Sequence, residues 1–140
     1  GIEEALVEKS KYIDQVMLYN NQSPSTIALI VPNKENLRRK LQHQGLTLDT
    51  EEGKKAALEK LEKEIAKFKR GGEFEGMFPE RWLPSAFAVL SEPFTEQNQM
   101  INSTMKMVRG KIEKAYADRI EYVYTAEGKQ TLNEKNLASL

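Results

Sequence analysis

Two neighbouring apolar runs constrain what this chain can fold into. Tyr12 to Tyr19 and Thr26 to Val31 are rich in β-branched and aromatic residues, and Asn20-Asn21-Gln22-Ser23-Pro24-Ser25 between them is a block of turn formers. They are expected to pair as an antiparallel hairpin. Both runs are apolar at nearly every position rather than at alternate ones, so the sheet needs helices on both faces. Pro32 closes the second run. Ala86-Phe87-Ala88-Val89-Leu90, stopped by Pro93, reads as a third buried strand.

The covering helices are legible as a 3.6-residue period. Ile2, Ala5 and Leu6 predict a short helix over Ile2 to Glu8, with carboxylates in its first turn where the helix dipole favours them. Leu37 and Leu41 predict a second helix from Glu35 to Gln44, stopped by Gly45. Leu58, Leu61, Ile65 and Phe68 form one stripe of a longer helix between Glu51 and Lys69, with Glu51/Lys55 and Glu59/Lys63 as i,i+4 pairs and Gly71-Gly72 as its end. Phe74 to Trp82 reads as an aromatic loop, and Glu96 to Gln99 as the tip of a small hairpin between Phe94-Thr95 and Met100-Ile101. A last long helix is expected from near Met107, its stripe of Val108, Ile112, Ala115 or Tyr116, Ile120 and Val123 facing the sheet. Residues 125–140 read as a polar tail or docking arm. The fold class is therefore α+β: a small, three-stranded, mainly antiparallel sheet with helices packed on it, plus a short hairpin before the last long helix.

Composition narrows the chemistry. A chain of 140 residues fits one domain. With 21 basic and 21 acidic residues the formal charge is zero, which argues against a nucleic-acid partner. Absence of cysteine removes disulfides, thiolate metal sites and cysteine nucleophiles. No apolar run approaches the roughly 20 residues of a membrane span, which leaves peripheral membrane contact open, and a cytoplasmic location is expected. The first residue is Gly1, so the chain is expected to be a piece of something longer.

One lysine is presented unusually. In Ile101-Asn102-Ser103-Thr104-Met105-Lys106-Met107-Val108-Arg109, Lys106 follows a polar turn and precedes an amphipathic helix. It lies about 200° from Val108 on the helical wheel, pointing away from the core. With Pro93-Phe94-Thr95-Glu96 before it and Lys111-Ile112-Glu113 and Ile120-Glu121-Tyr122-Val123-Tyr124 after it, the region resembles the small C-terminal domain of AMP-forming acyl-CoA synthetases, the adenylate-forming enzymes. Ile2 to Leu6, Tyr12 to Val16 and Ala28 to Pro32 resemble the opening helix and hairpin of that domain. Many branches of the family carry Ser-Gly before the lysine. The long-chain fatty acid branch carries Thr-Pro-Thr-Leu, and Asn102-Ser103-Thr104-Met105 is closest to that type.

The resemblance implies a lid, residues 1–124 with a helical insertion at 34–84, that swings over a large N-terminal domain absent from this chain. It implies Lys106 as the catalytic residue of acyl-adenylate formation and Arg109 as a basic residue that orients the lid or touches phosphate. Forming the adenylate brings a carboxylate against the α-phosphate of ATP. A cation delivered after both are seated offsets their repulsion, and one charge pair at 4 Å and an effective dielectric near 20 amounts to roughly 4 kcal/mol, or about a thousandfold in rate. The implied whole enzyme is a long-chain fatty acid–CoA ligase using ATP, Mg²⁺ and CoA, with none of these expected to bind this domain alone. The family's hinge residue and glycine-rich hairpin lie upstream, so the isolated domain is expected to be inactive. The alternatives are the lid of a carrier-protein-loading adenylation enzyme and a non-catalytic interaction module of the same fold.

Other features carry less. The lone His43 has no partner at ligand spacing and reads as a helix-surface residue. Lys106, Arg109, Lys111 and Lys114 are interrupted by Glu113 and Asp118, which argues against a phosphate-tracking stripe. Gly71, Gly72 and Gly76 lack phosphate-loop spacing. The Phe74, Met77, Phe78 and Trp82 cluster is expected to be core, or else a surface that docks on the large domain.

Overall fold

The computed structural model describes residues 1–140 in full. The two apolar runs form β1 (Ile13–Tyr19) and β2 (Ile27–Pro32), paired antiparallel with Val16 opposite Ile30 and Leu18 opposite Ala28. The third strand, β3 (Ala86–Val89), lies on the other side of β2 and is parallel to it, giving the order β1-β2-β3. A parallel neighbour requires a long crossover. Residues 34–84 supply it as α2 (Lys34–His43), α3 (Glu51–Ala66) and the aromatic loop. Both helices begin where a side chain satisfies the first free amides: Asn33 accepts from Asn36 N at 2.8 Å and Thr50 from Gly53 N at 3.1 Å.

Every residue of β2 is buried, and alternate side chains enter separate cores. Val16, Ala28, Ile30, Phe87 and Val89 meet Leu6 of α1 (Ile2–Lys9), Leu37 and Leu41 of α2, and Leu58, Leu61 and Ile65 of α3. Met17, Ile27, Leu29, Val31 and Ala88 meet Phe94, Met100 and the final helical region. At about 1.5–3 kcal/mol for each fully buried large apolar side chain, this two-faced burial dominates folding. The expectation of helices on both faces holds.

Several local expectations do not. The last helix begins at Arg109 and is two pieces, α4 (Arg109–Ala115) and α5 (Ala117–Val123), broken at Tyr116. Val108, expected in the core, caps α4 from outside it and is 37% exposed. Ile112, Ile120 and Val123 do face the sheet. Glu96 to Gln99 forms a turn, yet the bridge of the small hairpin joins Ile101 to Met107, so its tip is the lysine-bearing segment itself. The Glu51–Lys55 pair is present at 3.9 Å, whereas the pairing further along α3 converges on Glu64 instead of joining Glu59 to Lys63. The aromatic loop divides: Phe74 and Phe78 pack on Phe68, while Met77 and Trp82 are 45% and 50% exposed.

Residues 125–140 are not loose. They end in α6 (Glu134–Ala138), whose Asn136 is fully buried. The Asn136 side chain accepts from Val89 N at 2.9 Å and from Arg119 Nη2 at 3.0 Å, and donates to Phe87 O at 3.2 Å. Its amide thus stands in for a further strand along the outer side of β3. The segment is an arm docked on its own sheet.

Candidate functional site

Lys106 sits at the rim of an open groove of about 650 Å³ between α1, the outer side of β1 and the Ile101–Met107 hairpin. Glu3, Glu4, Glu8 and Asp14 line one wall, while Lys106 and Arg109 approach from the other. Backbone bonds set the hairpin: Asn102 N donates to Lys106 O at 2.9 Å, Met105 N to Asn102 O at 2.9 Å, and Val108 N to Met100 O at 2.8 Å. Met105 is 72% exposed and adopts a left-handed backbone, φ 64°, which disfavours any residue with a Cβ. Glycine would meet that backbone requirement without cost.

The two predicted cations have different fates. Lys106 is exposed, and its ammonium takes part in none of the chain's ion pairs or side-chain hydrogen bonds, although four carboxylates line the same groove. Arg109 is clamped by Glu3, through Nη1 to Oε2 at 3.0 Å and a second, shorter contact from Nη2 to Oε1. That bond from Glu3 raises the Arg109 pKa above its ordinary value against the opposing effect of burial. Glu3 Oε2 also accepts from the outward-facing Leu18 N of β1 at 2.6 Å. Arg109 therefore joins α4 to α1 and to the sheet's edge. A carboxylate 106 residues away gave no sequence signal for this pairing.

The platform under the hairpin is tied to the sheet by another side-chain amide. Gln15 Nε2 donates to Phe94 O at 3.0 Å, and Phe94 N donates back to Gln15 Oε1 at 2.8 Å. Asn98 closes the following turn, accepting from Thr95 N at 2.9 Å and Met100 N at 3.1 Å. Lys111 Nζ donates to Gln99 Oε1 at 2.8 Å, so the next lysine along is occupied. His43 is exposed on α2, away from the groove. The arrangement can present one unpaired ammonium, on a fixed backbone, to an anion approaching from outside. The acidic wall argues against an anion seated deep within the groove itself.

No protein-family model matches the chain. It is 24% identical over 130 residues to long chain acyl-CoA synthetase 8 of Arabidopsis thaliana, covering 89% of this chain and 17% of the relative. It is 28% identical over 129 residues to fatty acyl-CoA synthetase B of Dictyostelium discoideum, covering 87% and 18%. It is 25% identical over 132 residues to the carboxylic acid reductase of Mycobacterium tuberculosis, covering 94% and 10%. The chain thus spans less than a fifth of each of these relatives. Among solved structures, the adenylation domain of the Mycobacterium chelonae carboxylate reductase superposes with a TM-score of 0.64 at 23% identity, over 86% of this chain and 17% of that one. The adenylation domain of the Segniliparus rugosus reductase, in complex with AMP and a co-purified carboxylic acid, gives 0.64 at 23% identity over 88% and 17%. No helix is long and apolar enough to cross a membrane.

Proposed function

This chain's relatives are adenylate-forming enzymes, whose C-terminal domain it matches, and we propose that it is the lid of an ATP-dependent long-chain fatty acid–CoA ligase in which Lys106 promotes acyl-adenylate formation. The observation that carries the reading is the free, outward-facing ammonium of Lys106 on a hydrogen-bonded turn beside carboxylates that do not capture it. The acid's carboxylate displaces pyrophosphate from the α-phosphorus of ATP, and CoA sulfur then attacks the acyl carbon and releases AMP. Lys106 acts in the first step, compensating the negative charge that builds as carboxylate oxygen and α-phosphate meet. ATP and CoA are substrates, Mg²⁺ accompanies the ATP, and the pocket for the fatty acid belongs to the large domain. Arg109, held by Glu3, fixes α4 against α1 within the lid.

The test is made in the full-length enzyme. Lys106→Ala is expected to lower the rate of acyl-adenylate formation by at least roughly 100-fold while conversion of supplied acyl-AMP to thioester persists. Equal loss of both half-reactions, or of neither, would overturn the assignment. A second reading is favoured by the reductase relatives and by the superposition, at a TM-score of 0.60, on the A-PCP didomain of the Segniliparus rugosus reductase. In it the same adenylate is handed to a thiol tethered on a carrier protein. Supplying CoA and a thiolated carrier protein in turn as acceptors separates the two.

A further inference from the structure

The segment carrying Lys106 has little packing to hold it. Asn102, Ser103, Thr104, Met105 and Lys106 are all exposed, and the Ile101–Met107 bridge beneath them is the last paired position of the hairpin. With Met105 in the left-handed region, the backbone would relax if nothing held it. Besides the backbone bonds from Met105 N to Asn102 O and from Asn102 N to Lys106 O, one side chain holds the turn from inside the loop. Asn102 Oδ1 accepts from Thr104 N at 3.0 Å, Thr104 Oγ1 at 2.7 Å and Lys106 N at 3.0 Å. Its oxygen therefore sits at the centre of the turn and accepts from the backbone amide next to the Lys106 Cα, from which the side chain departs. The NH₂ of the Asn102 amide donates to no protein group, so the oxygen alone makes these contacts.

We propose that Asn102 is a positioning residue for Lys106, fixing the lysine's backbone so that its ammonium projects from the rim of the groove. This rests on the reading that Lys106 serves adenylate formation. A lysine on a four-carbon stem tolerates some error at its tip, but the error grows when the Cα from which it departs is also free. A displacement of about 1 Å at a reacting centre can cost on the order of 100-fold in rate. Asn102 touches neither substrate nor reacting atoms in this scheme, and it acts only through the lysine.

The prediction is read in two ways. In the 140-residue chain, Asn102→Ala should speed hydrogen exchange at the Lys106 amide by about tenfold while the β2 and β3 amides keep their protection, and Asn102→Asp, whose carboxylate offers the same acceptor, should preserve it. In the full-length enzyme, Asn102→Ala should lower the rate constant for adenylate formation by roughly 10- to 100-fold with little change in KM for ATP. Conversion of supplied acyl-AMP to thioester should continue, and Asn102→Asp should recover most of the lost rate. Unaltered Lys106 amide exchange in Asn102→Ala overturns the structural half of the inference. A full adenylation rate in Asn102→Ala, when Lys106→Ala is crippled, overturns the catalytic half. An active Lys106→Ala enzyme instead defeats the parent reading, and the exchange measurement still decides whether Asn102 holds the turn.

Discussion

The lysine turn and the C-terminal end of α3 both bring ammonium groups near carboxylates, and they resolve the encounter in opposite ways. In α3, Glu64 is 2% exposed. One of its oxygens accepts from Ser10 Oγ at 2.6 Å, and the other lies 3.1 Å from Lys60 Nζ and 3.0 Å from Lys67 Nζ. Lys60 also rests 5.2 Å from the centre of the Tyr12 ring. There the charges are locked and the result is structural. At Lys106 the backbone is held while the charge stays free, although Glu3, Glu4, Glu8 and Asp14 line the same groove. The lysines around Glu64 are anchored through their charged heads, whereas Lys106 is anchored through its main chain.

Breaking the locked region should have the largest effect. Glu64→Ala leaves Ser10 without its acceptor and two lysines beside an empty acidic position, and should lower unfolding stability by about 3 kcal/mol in urea titrations. A loss below about 1 kcal/mol would erase the contrast. The same carboxylate should make stability depend on pH. Burial pushes the Glu64 pKa up, but the bonds from Ser10, Lys67 and Lys60 outweigh it and hold the folded-state value below 4.5. Because the folded pKa lies below the unfolded one, its contribution is complete above about pH 4.5 and disappears as pH falls through the folded value. Acid titration of wild type should therefore show a loss of stability below about pH 4.5 that is smaller in Glu64→Gln.

Smaller changes sharpen the other side of the comparison. Met105→Gly meets the left-handed backbone at φ 64° with no Cβ, and should stabilise the chain by about 1 kcal/mol in thermal or urea unfolding. If it destabilises instead, the turn is not strained. Lys106→Met should have the least effect, changing stability by no more than about 0.5 kcal/mol, because no ion pair is lost. A larger drop would show that the ammonium has a structural partner after all.

Most of the fold was legible from periodicity, because apolar spacing reports burial directly. The hairpin, the third strand, α2 and α3 all follow from it. The parallel pairing of β3 and the break at Tyr116 did not, since an apolar stripe continues through Tyr116 whether or not the helix does. The docking of residues 125–140 rests on buried amides, Asn133 and Asn136, which hydropathy reads as surface. Glu64 had a faint signal, lying within the Leu61, Ile65 and Phe68 face of its helix. At the site, the type and presentation of Lys106 could be read in advance. The role of Asn102 could not, although Asn-Ser-Thr before a helix is turn chemistry, because its three contacts depend on how the loop closes. The clamp between Glu3 and Arg109 depends on tertiary structure alone.

The Asn136 amide lies against the unpaired side of β3, where Phe87 and Val89 turn a carbonyl and an amide outward. A short, wholly apolar border strand with free main-chain groups invites a neighbouring molecule to add itself on. The last ten residues therefore serve as a bumper for the sheet, and a version of the protein trimmed before them would be expected to stick to its own copies.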